Sequence, residues 1–233
     1  MNDSPTDQLI VTIDGPAGSG KSTLARQLAQ LLRVDFLDTG AMYRGLAAKA
    51  IERGIDIAEE PYYVVELARN CPLHSDWSTD PPRLHVRDTD MTDRLRDLDV
   101  TDAVSDVAKL GGVRQVLVDN QRRIGREHPR LVTEGRDQGS VVFPDAQVKF
   151  YLDASPSVRA QRRADQLKQM GKPANIELIR RNIMDRDRKD SARSDGPLIC
   201  PDNAIRIDTS EMKLDEVLDK LHQHVKDKAK VEV

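Results

Sequence analysis

Aromatic residues, cysteines and long apolar runs are all scarce in this sequence, and each scarcity excludes a class of protein. Only 3% of the 233 residues are aromatic, which leaves few platforms for stacking nucleic-acid bases. Two distant cysteines, Cys71 and Cys200, form neither a disulfide framework nor a zinc-binding unit. No apolar run approaches the roughly 18 residues of a membrane span, and the polar N-terminus lacks a secretory signal. We expect a reduced, cytoplasmic protein that binds no membrane.

An excess of positive charge is also missing, although the basic residues are unevenly distributed. The chain has 36 Lys and Arg against 39 Asp and Glu, and its net charge is −3. This balance argues against a nucleic-acid partner. Between residues 159 and 193, however, eleven basic residues face five acidic ones. The local excess favours binding of compact anions such as phosphates.

Apolar patterning predicts an α/β fold with a central parallel sheet flanked by helices. Strand-like and helix-like segments alternate along most of the chain, which is typical of parallel sheets. We predict one domain over residues 1–233. The predicted strands are 9–13, 34–37, 131–133, 148–152 and 204–208, and the predicted helices are 22–33, 39–53, 101–110, 113–123, 157–170 and 214–225.

Two segments depart from this alternation. Residues 71–100 contain adjacent prolines and turn formers around one short alternating stretch, 83–87, which predicts a small β-rich insertion. Residues 171–197 have no strand pattern and are dense in charge. We interpret residues 171–197 as a mobile lid segment over a site.

The strongest motif joins the first predicted strand to the first predicted helix. Residues 15–22 match G-x-x-x-x-G-K-[ST] at every fixed position, in the strand–loop–helix context that the motif requires. Such a loop points backbone N–H groups at phosphate oxygens, while the lysine reaches the β/γ-phosphates and the hydroxyl of Ser22 ligates Mg²⁺. Asp14, just after the first strand, could touch the water shell of that ion. The predicted ATP-binding residues are Gly15, Pro16, Ala17, Gly18, Ser19, Gly20, Lys21, Ser22 and Thr23.

Other strand ends indicate which kind of P-loop protein this is. No N-K-x-D motif is present, so a GTPase is disfavoured. ATPase motors usually have an apolar strand that ends in an acidic residue, and residues 131–134 match that pattern only weakly. Instead, Arg44 and Arg136 follow predicted strands, where a second phosphate could bind. A small-molecule kinase follows from this pattern. A nucleotide-binding regulatory protein with no acceptor remains an alternative.

Four segments make the sequence resemble the bacterial cytidylate kinase family. They are IDGPAGSGKST (13–23), DTGAMYR (38–44), GRDQGSVVFPDAQVKFYLDAS (135–155) and RDRKDSARSDGPL (186–198). The resemblance spans residues 9–224. It implies a P-loop NTPase fold, a monophosphate-binding insertion at 62–101, a mobile lid and a monomeric state. It also implies Mg²⁺-dependent transfer of the γ-phosphate of ATP to CMP or dCMP; a kinase for another nucleoside monophosphate or small acid is the runner-up.

The resemblance also implies how CMP is held. Cytosine needs an acceptor near its amino group and a donor near N3 and O2. Asp137 and Ser105 match family positions that supply the acceptor, and Arg114 matches the one that supplies the donor. Thr39, Arg44 and Arg136 match positions that bind the acceptor phosphate, and Asp190 with Arg186 matches the pair at the ribose. Arg193 completes the set of predicted CMP-binding residues.

The residues alone leave blander explanations for several of these positions. Asp137 could cap a helix, and Ser105 and Arg114 could face solvent on predicted helices. Arg44 or Arg136 could form a surface ion pair. Gln138 and Ser140 depart from the family's usual apolar residue and Thr, which puts the packing beside Asp137 in question.

Catalysis is expected to depend on positive charge because phosphoryl transfer spreads negative charge over equatorial oxygens. The predicted catalytic residues are Lys21, Arg136, Arg162, Arg188 and Arg193. The resemblance places the last three on or beside the lid, whereas RDRKD alone could be a solvated helix face. No general base is assigned, and the roles of Arg159, Arg163, Arg180 and Arg181 stay open.

Overall fold

Residues 8–229 are described by the computed structural model of the chain, and they divide into two units. The first unit contains residues 8–34 and 130–229, and the second contains residues 35–129. The first seven residues, on which the expectation of no secretory signal rests, lie outside the described range. The interpretation of residues 1–233 as one domain stays a prediction.

The first unit is built on a parallel sheet. Four of its strands lie in the order β6-β1-β7-β8. Val11 pairs with Val132 on one side and with Val148 on the other, so β1 is central among these four strands. Every residue of β1 is buried, as its β-branched run predicts. The ranges are β1 Leu9–Asp14, β6 Arg130–Gly135, β7 Val148–Asp153 and β8 Ile205–Asp208.

Helices flank this sheet and carry its connections. The first helix, α1, buries an apolar stripe that includes Leu24, Leu28 and Leu32, and it packs against the sheet. Ser155 and Asn175 cap the two helices that follow β7, each accepting a backbone N–H three residues ahead. The helices are α1 Lys21–Leu32, α6 Pro156–Gln169, α7 Ile176–Ser191 and α8 Leu214–Ala229.

The second unit combines four α-helices with a small antiparallel sheet. The unit begins with strand β2, which is not part of this small sheet. The strands of the small sheet lie in the order β3-β4-β5. Gly45 lets α2 approach β4, since a Cβ there would lie 2.4 Å from Leu84 Cδ2. The elements are β2 Asp35–Asp38, α2 Thr39–Glu52, α3 Pro61–Asn70, β3 Leu73–Asp76, β4 Arg83–Val86, β5 Thr89–Asp90, α4 Leu98–Val107 and α5 Gly111–Glu127.

The α/β architecture is confirmed, and so are the predicted strands to within three residues at each end. Three details differ from the sequence-based expectation. The insertion contains a helix, α3, as well as its β-sheet. Gly111 and Gly112 begin α5 instead of separating two helices. The lid segment contains a 16-residue helix, α7, because Asn175 supplies a cap and the charged residues divide between two faces.

Within residues 8–229, no helix is both long enough and apolar enough to cross a membrane.

Candidate active site

The phosphate loop of the first unit is shaped by glycines where side chains would not fit. Gly15 has φ 148°, and a Cβ on it would lie 2.0 Å from the carbonyl oxygen of Leu152. Gly18 has φ 78° and lies against α6, where its Cβ would come within 3.3 Å of Arg159 Cβ. Both conformations are ones that L side chains rarely adopt. The loop is therefore held in a curled shape between β7 and α6.

Lys21 is the first residue of α1, and its ammonium group lies inside the loop. The side chain is buried, and its Nζ donates to the carbonyl oxygen of Pro16 at 2.9 Å. Burial, reinforced by the nearby Arg136, lowers the pKa of Lys21 to about 7. A lysine in this state favours an anionic ligand, because phosphate oxygens would stabilise its charged form.

Ser22 is paired with an acidic residue whose role the sequence argument missed. Its hydroxyl donates to Glu134 Oε1 at 2.5 Å, and Glu134 is buried near the end of β6. Since the hydroxyl proton points to the carboxylate, the oxygen lone pairs of Ser22 stay available for a cation. The only sequence signal for Glu134 is its place after an apolar strand, which matches the acid-ending strand of ATPases only weakly.

Asp14, at the end of β1, organises the segment that follows β6. Its two carboxylate oxygens accept the backbone N–H groups of Gln138 at 2.9 Å and Gly139 at 2.7 Å. Burial nevertheless raises the pKa of Asp14 to about 7. These bonds fix the backbone of the short helix 138–142 that begins just after Asp137.

Asp137 itself is buried, and its side chain does not cap the short helix. Its backbone carbonyl accepts the N–H groups of Val141 and Val142 instead. The helix-cap explanation of this residue is therefore wrong. Gln138, which departs from the family pattern, is accommodated because its Oε1 accepts the hydroxyl of Thr133 at 3.0 Å.

Asp14 and Lys21 make folding stability depend on pH in opposite directions. Between about pH 4 and 7 the folded chain keeps a proton on Asp14 that the unfolded chain releases, so stability falls as pH rises. Between about pH 7 and 10.5 the unfolded chain keeps a proton on Lys21 that the folded chain releases, so stability rises with pH. Together these groups give a minimum of stability near pH 7.

Replacing Lys21 with Met should remove the rise in stability above pH 7 that Lys21 contributes, because methionine does not titrate. At pH 7, K21M should unfold at a higher urea concentration than the wild type. The difference in the free energy of unfolding should shrink by about 1 kcal/mol per pH unit between pH 7 and 9. Urea titrations of both proteins at pH 7, 8 and 9 measure it. A difference that does not vary with pH would contradict the depressed pKa of Lys21.

Two predicted arginines of the first unit meet on one buried carboxylate. Asp190 Oδ2 accepts from Arg136 Nε at 2.9 Å, and Oδ1 pairs with Arg193. Only 1% of the Asp190 side chain is exposed. Burial opposes ionisation, but the two arginines hold the pKa of Asp190 below its ordinary value. The surface-ion-pair explanation of Arg136 is wrong, since its partner is buried.

The remaining predicted arginines of the lid region occupy different positions. Arg186 lies close enough to Lys21 and Asp190 to lower the pKa of both. Arg162 donates to the hydroxyl of Thr209 at 3.0 Å and to its carbonyl at 2.6 Å. Arg188 is 77% exposed and lies 3.4 Å from Asp185. The structure therefore does not bring Arg162 and Arg188 together with Asp190, and their catalytic roles stay predictions.

The second unit holds the other four predicted CMP-binding residues. Thr39 begins α2 and is buried, and Asp38 caps that helix by accepting the N–H of Ala41. Arg44, one turn further along α2, donates to the carbonyl of Leu95 at 3.3 Å and to Thr101 Oγ1 at 3.1 Å. A hydroxyl and a carbonyl thus orient this guanidinium within its own unit, and Thr101 is a contact that the sequence did not indicate.

Ser105 and Arg114 are both buried, so solvent-facing positions are wrong for both of them. Ser105 lies on α4, and Arg114 lies on α5 with 2% exposure. Arg114 also contacts Tyr43, with 3.4 Å between the guanidinium and the phenolic oxygen. A buried arginine needs polar partners, and the hydroxyl of Tyr43 is one of them.

The chain is similar to known proteins over nearly its whole length. A family model described as cytidylate kinase matches residues 11–227. A cytidylate kinase from Caldanaerobacter subterraneus is 40% identical over 223 residues, covering 96% of this chain and 97% of that protein. One from Nitrosococcus oceani is 42% identical over 210 residues, covering 89% of this chain and 92% of that protein.

A solved structure extends the comparison to the fold. An uncharacterized protein from Eubacterium ventriosum superimposes with a TM-score of 0.51 at 11% identity, covering 95% of this chain and 99% of that one. At this identity the likeness concerns the fold alone. The family assignment rests on the sequence matches, which extend over nearly the whole chain and include the phosphate loop. The chain belongs to the cytidylate kinase family.

Proposed function

We propose that this protein transfers the γ-phosphate of ATP to CMP or dCMP, giving ADP and CDP or dCDP. The observation that carries the proposal is that, within the first unit, the phosphate loop around Lys21 lies close to the cluster Arg136–Asp190–Arg193, since Arg136 is near enough to lower the pKa of Lys21. A loop of this kind binds the triphosphate. The arginine cluster then supplies bidentate donors for a second phosphate.

The donor side of the reaction depends on the loop amides, Lys21 and the cation site. The chemistry of Ser22 and Glu134 fits Mg²⁺, a hard cation that takes oxygen ligands and usually keeps several waters. Ser22 would hold the ion directly, and Glu134 would orient the hydroxyl that does so. When bound with ATP, Mg²⁺ neutralises charge on the β- and γ-phosphates. The ammonium group of Lys21 would stabilise the negative charge on the same phosphate oxygens.

The acceptor side needs orientation and no general base. A phosphate monoester dianion is already a nucleophile, so the arginines that bind it need only hold it for in-line attack. Arg193 and Arg186 would add charge as negative charge spreads over the migrating phosphoryl group. The lid segment would exclude water, which otherwise competes as the acceptor.

An acceptor panel tests the proposal directly. Release of ADP is measured with ATP and Mg²⁺ and one acceptor at a time: CMP, dCMP, UMP, AMP, dTMP and shikimate. We expect kcat/KM to be highest for CMP or dCMP. A higher value for another acceptor would identify a kinase of different specificity. Binding of ATP without release of ADP for any acceptor would identify a regulatory protein.

Base recognition can be separated from phosphate binding by a substitution at Asp137. The buried carboxylate can accept from the amino group of cytosine, whereas uracil would place a carbonyl oxygen against it. We expect D137A to lower kcat/KM about 100-fold for CMP and much less for UMP, so that their ratio narrows. R44A should lower both values alike and serves as the matched control. An equal loss for the two nucleotides in D137A would remove the base-reading role.

A further inference from the structure

The lid segment contacts the phosphate loop through a carboxylate that the proposed mechanism does not use. Asp187, on α7, accepts the backbone N–H of Ala17 through Oδ1 at 3.3 Å. Its other oxygen, Oδ2, lies 2.6 Å from the guanidinium of Arg159 on α6. The side chain of Asp187 is only 20% exposed. This contact ties two helices and the loop together.

Arg159 holds the other side of the same loop residue. Its NH1 group donates to the carbonyl of Ala17 at 2.9 Å, and its Nε donates to the carbonyl of Ala154 at 2.8 Å. The arginine is buried, with 4% exposure, and Gly18 packs against its Cβ. Both the N–H and the C=O of Ala17 are therefore fixed by the pair of Arg159 and Asp187.

Helix α7 has one face that packs against the rest of the first unit and another that is exposed to solvent. Asp187 and Asp190 are three residues apart and so lie on one face. Asp187 faces the phosphate loop, and Asp190 holds Arg136 and Arg193. Asp185 and Arg188 are 60% and 77% exposed. One face of the helix therefore contacts both the loop and the arginine cluster, while other residues face solvent.

We propose that Asp187 and Arg159 form a brace that couples the lid segment to the phosphate loop, with Asp187 acting as a positioning residue for ATP. This inference rests on the proposed kinase function. A loop whose amides are fixed in advance binds the triphosphate without a further ordering cost. Through α7, the same brace relates the loop to the arginines that would bind the acceptor.

An opposite role for Asp187 predicts the opposite sign. As an anion at the loop, it could compete with the triphosphate, and its removal would then tighten ATP binding. The distances favour the brace, because the carboxylate is 2.6 Å from Arg159 but 3.3 Å from the Ala17 nitrogen. Its charge is thus already matched by a buried arginine. Without Asp187, that guanidinium would be left facing carbonyl oxygens.

The test is to measure ATP affinity and CMP kinetics separately in D187N and D187A. Calorimetry with ATP in the absence of acceptor should give a Kd about tenfold weaker in D187A, with a smaller loss in the isosteric D187N. The KM for CMP should stay within about twofold of the wild type. R159Q should weaken ATP binding as well. The Kd of R159Q/D187N for ATP should be no higher than that of the single variant with the higher Kd, because the two residues act as one unit.

E177Q is the matched control, since Glu177 lies on α7 in an exposed pair with Arg180. It makes the same carboxylate-to-amide change and should leave ATP affinity unaltered. Tighter or unchanged ATP binding in D187A would overturn the brace, and so would an equal loss of CMP and ATP binding. If the wild type fails to phosphorylate CMP, the proposed function falls, but the ATP measurements still decide the brace.

Discussion

Replacing Lys21 with Met should lower kcat for ATP-dependent phosphorylation of CMP by about 10³-fold, measured by release of ADP at saturating substrates. Met preserves the length and apolar stem of the side chain and removes only the ammonium group. In the phosphate loop that group is buried and donates to the carbonyl of Pro16. Phosphate oxygens would draw the charge away from this carbonyl to the place where negative charge develops.

The loss in K21M should not come from unfolding, because the same substitution removes a buried charge. Burial lowers the pKa of Lys21 to about 7, so its charged form destabilises the folded chain at neutral pH. K21M should therefore be more stable than the wild type at pH 7 while being nearly inactive, the trade-off often found at functional sites. Retention of more than a tenth of the wild-type kcat would exclude contact between Lys21 and the transferring phosphoryl group.

The phosphate loop illustrates what the sequence could predict. Its fixed positions require particular residues for reasons that act locally: a backbone with positive φ at Gly15 and Gly18, and the start of a helix at Lys21. Strand β1 and helix α1 could be predicted as well, because their apolar patterns have clear periods. These features depend on neighbours in sequence, so a single chain is enough to predict them.

Glu134 and Asp187 illustrate contacts that the sequence could not predict. Glu134 is separated from Ser22 by 112 positions, and Asp187 is separated from Ala17 by 170. Neither partner has a local pattern that indicates the contact, since an acid at a strand end or on a charged helix is ordinary. From sequence alone, RDRKD could lie either in the lid or on a solvated helix face. In the structure these residues lie on α7, where Asp187 and Asp190 face inward while Arg188 faces solvent.

Replacing Arg136 with Gln should lower kcat/KM for CMP by about 10³-fold and also destabilise the fold. Two effects combine, because the guanidinium would hold the acceptor phosphate and also pairs with the buried Asp190. Removing one partner of a buried ion pair costs about 3 kcal/mol, since the remaining charge lacks its compensation. Without Arg136, the pKa of Asp190 should rise toward its ordinary value. R136Q should then lose less stability than the wild type as the pH falls below about 4, because the folded and unfolded pKa values of Asp190 differ less in the variant.

R206Q separates this prediction from a general effect of losing an arginine. Arg206 forms an exposed ion pair with Asp153 in the same unit, 66% of its side chain being accessible, so its loss should change stability by less than about 1 kcal/mol. R136K keeps the charge but loses the planar fork, and we expect its kcat/KM to lie between those of R136Q and the wild type. If R136K matched the wild type, charge alone would suffice and bidentate binding of the acceptor phosphate would be wrong. If R136Q were as stable as R206Q, the buried pair with Asp190 would not contribute to folding, and Arg136 would act on the phosphate alone.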